Sequence, residues 1–245
     1  MEKVSQKDID WLLNLNQDQI NDRSSASGSV KEKKNRSLLS KILLWVFLIP
    51  VLVFLPFFIL IRTSVYLNLN YSLGGWTSLS CGILAAIILL TIYLFLLFRR
   101  TKNKKRLLKF SFYGFGSLVV TFCLYGVMYL SSVHAKSDQV QRVYRSLHPV
   151  LRVAVATTTL ADGDLVITDI KRPPEDYSAM GLPINQSSLH FTQENGYVHA
   201  IDLRTIGRSE FRNLLLQQSL EILGFGTIRH VGTADHLHIS LPPPE

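Results

Sequence analysis

Cysteine is close to absent from this 245-residue chain: it has Cys81 and Cys123, both inside apolar stretches, and none beyond them. No disulfide framework can therefore be read in the C-terminal part. Histidine is missing from the first 133 residues, and all seven, His134, His148, His190, His199, His230, His236 and His238, follow the last strongly apolar stretch. The first thirty residues are polar and precede no small-residue cleavage site, so no cleavable signal peptide is expected. The C-terminal part also lacks the basic excess that the net charge of +8 suggests. From His134 onward ten Lys/Arg face twelve Asp/Glu, and the surplus of positive charge sits in the first 133 residues. The basic pI thus describes the N-terminal half, and nucleic acid is discounted as a partner.

What the chain has instead is apolar length. The runs Ile42–Ile61, Trp76–Phe98 and Phe110–Val133 contain no Asp, Glu, Lys or Arg. Each has the ~20 residues needed to cross a hydrocarbon core about 30 Å thick. They read as three transmembrane helices in a lipid bilayer. Pro50 and Pro56 in the first are tolerable there, because neighbouring helices or water can satisfy the freed carbonyls. Lys31, Lys33, Lys34, Arg36 and Lys41 precede the first run. Arg99, Arg100, Lys102, Lys104, Lys105, Arg106 and Lys109 separate the second from the third, whereas the loop from Arg62 to Gly75 carries Arg62 alone. Both basic segments should be cytoplasmic. Three spans then place everything after Val133 on the far side, the periplasm or exterior if the membrane is a bacterial inner (cytoplasmic) membrane. The expected organisation is a cytoplasmic polar tail at 1–36, a membrane anchor at 37–133 and an extracytoplasmic domain at 134–245.

In the tail, Ser5 followed by Asp8 suits a helix start, and Val4, Ile9, Leu12 and Leu13 form a short apolar stripe at helical spacing. The Ser-Gln-x-x-Ile-Asp-x-Leu-Leu pattern of Ser5–Leu13 resembles the N-terminal peptide of the flagellar motor switch protein. That resemblance implies docking on a cytoplasmic receiver-domain protein, the alternative being a marginal amphipathic helix. Asp22–Lys34 has the composition of a polar linker.

The C-terminal domain alternates between the two kinds of pattern. Helices are expected at Val140–Leu147, Pro149–Leu160, Glu175–Met180 and Ser209–Leu223, the last closed by Gly224. Strands are expected at Leu165–Ile170, Tyr197–Leu203, Thr227–Val231 and His236–Leu241. Strands joined by helices and tight turns indicate an α+β domain with a mainly antiparallel sheet.

Strand alternation sorts the histidines. In the last strand His236, His238 and Ser240 point one way, and Leu237, Ile239 and Leu241 point toward a core. In Tyr197–Leu203, Asp202 shares a face with Ala200 and Val198, whereas His199 lies on the other. Two histidines and a carboxylate on one face of a small sheet make a three-ligand site for a divalent metal, most plausibly zinc with a position open to water.

Arg172, then Ser188-x-His190, Ala200-x-Asp202, and Asp235-x-x-His238 within a His-x-His, resemble the zinc D-alanyl-D-alanine peptidase superfamily, to which the hedgehog signalling domain also belongs. The resemblance covers most of residues 147–241. It implies a peptidase or hedgehog-like α+β fold with His190, Asp202 and His238 as zinc ligands. Asp235 would be the general base on the water nucleophile, Arg172 the oxyanion partner, and His236 a contact to the substrate. The implied activity is hydrolysis of peptidoglycan stem peptides by a D-amino-acid carboxypeptidase or endopeptidase, and a non-catalytic peptide-binding module is the alternative. Twelve residues separate His190 from Asp202 where the family pattern has seven, and Val198 replaces its glycine. His199 therefore competes with His190 as first ligand. Asp235 has the wrong parity to share a face with His238 in a regular strand, so it must lie in the preceding turn, or else His236 becomes the candidate base.

Overall fold

The computed structural model describes residues 32–98, 103–172, 174–179, 181, 183, 187–232 and 235–243. The expected docking peptide Ser5–Leu13 lies outside them. Helix α1 runs Glu32–Tyr71, α2 Gly75–Leu97 and α3 Lys104–Met128. Three helices are long and apolar enough to cross a membrane, over Leu38–Tyr71, Gly75–Leu97 and Lys104–Met128, and the protein is a membrane protein on that ground. The linker expected through Lys34 gives way to helix already at Glu32, because Glu, Lys and Arg propagate a helix readily once the apolar run has nucleated it. At its other end α1 continues past Ile61 to Tyr71, while α3 stops at Met128, before the expected Val133.

The chain divides into two compact units, one up to Val53 and one from Phe54 onward. In the first unit the side chains of Leu43, Trp45 and Phe47 are exposed, as a lipid-facing span requires. In the second, Gly82 lets α2 approach α1 closely, because a Cβ there would collide with the Ser64 hydroxyl and the Leu60 carbonyl.

The C-terminal domain continues with a 3-10 turn at Ser132–His134, α4 (Asp138–Val143), a second 3-10 turn (Tyr144–Ser146) and α5 (Pro149–Ala161). The single helix expected over Val140–Leu147 is thus split, and Ser137 caps its start by accepting from the Val140 N–H. β1 (Ile167–Asp169), α6 (Pro174–Ala179), β2 (Ala200–Arg204), α7 (Glu210–Leu223), β3 (Gly226–His230) and β4 (His236–Ser240) complete it. Ser209 caps α7, and Gly224, at φ 102°, closes it in the left-handed conformation that glycine adopts without penalty.

The four strands form one sheet in the order β1-β2-β4-β3, with every neighbouring pair antiparallel. An α+β domain with a small antiparallel sheet is therefore present. Along β4, Leu237 and Ile239 are buried while His236, His238 and Ser240 are half-buried, the expected alternation.

This domain shares its core with the span ends. Leu60, Val65, Val127, Leu151, Leu220 and Ile239 belong to one buried cluster. Polar bonds tie the same seam: the Tyr144 hydroxyl donates to the Gly126 carbonyl at 2.6 Å, Arg152 Nη1 to the Val127 carbonyl at 2.9 Å, and Gln141 Nε2 to the Leu130 carbonyl at 2.7 Å. All three acceptors lie in the last turn of α3 or just beyond it, where helix carbonyls lack intrahelical partners.

Candidate metal centre

Antiparallel pairing places Asp202 of β2 directly opposite His238 of β4, so their side chains leave the sheet on one face. His190 comes from the loop before β2. Its N–H bonds the Ser188 hydroxyl oxygen at 3.3 Å, and its carbonyl accepts from the Arg172 N–H at 3.2 Å, which ties two loops together.

The donor atoms converge. His190 Nε2 lies 3.2 Å from His238 Nδ1 and 3.3 Å from Asp202 Oδ1, and His238 Nδ1 lies 2.8 Å from Asp202 Oδ1. A tetrahedral zinc with bonds of about 2.0–2.1 Å holds its ligand atoms about 3.3 Å apart, so two edges of the triangle match and the third is slightly short. His190, Asp202 and His238 are also the one group of metal-competent side chains among the described residues.

The proton inventory points the same way. The Ile170 carbonyl lies 2.8 Å from His190 Nδ1, and a carbonyl can only accept, so Nδ1 carries the proton. Nε2 then faces a carboxylate and a second imidazole with its lone pair, an arrangement that is repulsive unless a proton or a metal cation lies between them. This is the backbone-fixed tautomer that metal-ligating histidines use. Without a cation, burial works to lower the His190 pKa, but the hydrogen bond and charge of Asp202 outweigh it and raise it. Burial would raise the Asp202 carboxyl, but hydrogen bonds and charge from His190 and His238 hold it far below the usual carboxylate range. The donor chemistry and spacing fit a divalent metal.

Arg172 joins the cluster from the loop after β1. Its Nη2 lies 3.2 Å from Asp202 Oδ2, while Asp169 Oδ2 accepts from its Nε at 2.9 Å and from its Nη2 at 2.5 Å. The guanidinium also lies over the Tyr177 ring, 5.5 Å from its centre, and Tyr177 contacts Phe191 at 5.6 Å. Asp169, Tyr177, Phe191 and the Ile170 carbonyl are participants that sequence reasoning missed. The Asp169-x-x-Arg172 spacing was the available signal for the first of them. His236 sits beside the cluster, with Nε2 3.8 Å from Asp202 Oδ2 and its ring stacked 4.7 Å from His230 of β3, its direct strand partner.

Asp235 behaves differently from the expected base. Its Oδ1 accepts from Arg229 Nε and from the Thr205 hydroxyl, both at 2.6 Å, and its Oδ2 accepts from Arg229 Nη2 at 2.7 Å. Those bonds hold its pKa at about 2, the Arg229 contact contributing most. Thr233 and Ala234, where the turn before it was expected, lie outside the described residues. His199, the competing ligand, turns away: its Nδ1 bonds the Leu241 carbonyl at 2.7 Å and its Nε2 contacts Asn195. Its ring packs 4.7 Å from His148, which is fully buried, has no hydrogen-bond partner on either nitrogen among the described residues, and is pushed down to about 3 by burial, with His199 and Arg152 adding to the effect.

Fold and site together define a membrane protein with a helical anchor and an α+β domain that carries a His2Asp cluster able to hold a metal ion. The chain matches no family model, no curated protein and no solved structure.

Proposed function

We propose that this chain is a membrane-anchored zinc peptidase of the D-alanyl-D-alanine peptidase and hedgehog type, acting on peptidoglycan stem peptides as a D-amino-acid carboxypeptidase or endopeptidase. The observation that carries the reading is the donor triangle of 2.8 to 3.3 Å made by His190, Asp202 and His238, the three residues that the family resemblance names as ligands. Zinc bound there supplies the Lewis acidity that makes water a nucleophile near neutral pH. Zinc is preferred over Mg²⁺ or Ca²⁺ because two of the three donors are imidazole nitrogens and the spacing is tetrahedral.

The remaining roles belong to the chain's own side chains. Arg172, clamped by Asp169, supplies a fixed positive charge for the substrate carbonyl oxygen as negative charge grows on it. Asp235, locked to Arg229 and Thr205, is a weak base in this arrangement, so His236 takes the proton-accepting role. The Lys/Arg distribution supports a domain on the far side of the membrane from the cytoplasm, which is where peptidoglycan lies if the membrane is a bacterial inner membrane. The same locked Asp235 favours a second reading, a module that binds wall peptide without cutting it.

Purified full-length protein in lipid nanodiscs, assayed for zinc content and for turnover of muropeptides, separates the readings. Stoichiometric zinc, with cleavage lost in His236→Ala but kept in Asp235→Ala, supports the peptidase as described. Tight peptide binding without cleavage supports the module, and protein that holds no stoichiometric divalent metal ends the peptidase reading.

A further inference from the structure

Helix α7 is apolar on two opposite sides. One side, Leu216, Leu220 and Leu223, is buried and packs toward the sheet beside β3. On the other side Phe211, Leu214, Leu215 and Ile222 are 74, 57, 57 and 62% exposed. Their spacing of three, four and eleven residues from Phe211 keeps them on one stripe, which holds one polar residue, Gln218, and is flanked by Arg212 and Ser219 on one edge and Glu210, Gln217 and Glu221 on the other. Four large apolar side chains in one row are far more than a lone exposed leucine and call for a partner.

The C-terminal end of α7 is tied directly to a span, and its N-terminal end to the residue after α5. At the C-terminal end the Leu223 carbonyl accepts from Arg62 Nη1 at 3.4 Å, and Gly224 is packed so closely on Arg62 and Val65 of α1 that a Cβ would collide. Arg62 is the residue that ends the first charge-free apolar run. At the N-terminal end Asp162 accepts from both Arg208 and Arg212, the latter at 2.5 Å. Asp162 follows α5 directly, and Thr158 and Ala161 of α5 line one groove with Leu215 and Ser219 of α7. On another side of the same C-terminal half of α5, Ala156 and Leu160 line a second groove with Phe122 and Tyr125 of α3. Phe122 lies six residues before the end of that span, about 9 Å inside it. With its C-terminal end at the close of the first charge-free run and its N-terminal end linked through α5 to a level about 9 Å inside the third span, α7 has both ends at the depth of the interfacial zone.

We propose that the Phe211, Leu214, Leu215 and Ile222 face of α7 is inserted into the bilayer interface and docks the metal-bearing domain flat on the membrane as an in-plane amphipathic helix. The mode is that of interfacial helices, which bury an apolar face ~5–10 Å into the headgroup and acyl boundary. The inference rests on the spans and not on the peptidase reading, so failure of one leaves the other standing. Its consequence is geometric: the stripe faces away from the sheet, so the cluster on the sheet's other face opens away from the lipid.

The test uses full-length protein with Cys81→Ser and Cys123→Ala, reconstituted in phosphatidylcholine/phosphatidylglycerol nanodiscs. A nitroxide is attached in turn at Leu215→Cys, Ile222→Cys and, as an aqueous reference, Val231→Cys. Labels at Leu215 and Ile222 should collide several-fold more with oxygen than with a water-soluble nickel chelate, and the Val231 label should show the reverse ratio. Nickel accessibility at Leu215 and Ile222 equal to that at Val231 overturns the proposal. Spin–spin broadening between identical labels that persists in nanodiscs holding excess lipid overturns it too, because it assigns the stripe to a second copy. Two independent positions guard against one label that perturbs the helix.

Discussion

Two histidine pairs among the described residues have nearly the same ring spacing and opposite chemistry. His190 and His238 stand with ring centres 5.1 Å apart, and His148 and His199 stand 4.7 Å apart. The first pair shares a carboxylate, Asp202, and the His190 pKa is raised. The second has no carboxylate beside it among the described residues, lies near the Arg152 guanidinium, and His148 is pushed down to about 3. Burial alone therefore makes a neutral packing histidine, and burial with a shared carboxylate makes a cation site. The same contrast settles which histidine before Asp202 belongs to the cluster. His190 has one nitrogen fixed by the Ile170 carbonyl and the other aimed at the cluster, while both nitrogens of His199 are occupied elsewhere, by Leu241 and Asn195.

The sharpest way to break this comparison is to remove the carboxylate. Asp202→Asn should lose divalent metal by more than about a hundredfold in affinity, read by metal analysis of the full-length protein. His199→Ala should keep the metal and lower the melting temperature only. Next in size is the pH dependence of the packing pair. Unfolded His148 takes up a proton at about pH 6.5, and the folded state resists it down to about 3. The unfolded state therefore binds more protons between those values. Its contribution to stability is complete above the unfolded pKa and is lost as pH falls toward the folded one, a change on the order of a few kcal/mol. Thermal melts from pH 7.5 to 4.5 should show this slope, and His148→Leu should flatten it without cost at neutral pH, since neither nitrogen has a partner to lose. Arg172→Ala, which removes the hydrogen bond that orients Asp202 Oδ2, should weaken metal binding about 10–100-fold, an effect titration calorimetry can resolve. The smallest change is Asn195→Ala, which removes its contact with His199 and the bond it accepts from the Tyr197 N–H. It should cost about 1 kcal/mol in denaturant unfolding and leave metal content unchanged.

Much of the architecture follows from local pattern. Charge-free runs of twenty or more residues cross membranes because backbone polar groups in lipid must be satisfied within a helix, and α1, α2 and α3 lie where those runs do. Alternation in His236–Leu241 placed His236 and His238 on one face and Leu237 and Ile239 in the core, because strand period is two and does not depend on the rest of the chain. The clamp on Asp235 was not legible: Arg229 comes from the strand beyond β4 and Thr205 from the loop after β2, and neither is near Asp235 in any periodic sense.

By itself the sequence determined three apolar spans, an α+β domain, and His190, Asp202 and His238 as candidate ligands with His199 as a rival. Only the tertiary structure decided between the two histidines, tied Asp235 to a guanidinium, fused the domain's core with the span ends and left one face of α7 bare. Periodicity and composition act over a few residues. Which nitrogen meets which carbonyl or carboxylate depends on strand register and loop closure across up to about fifty residues of chain, set jointly by the whole fold.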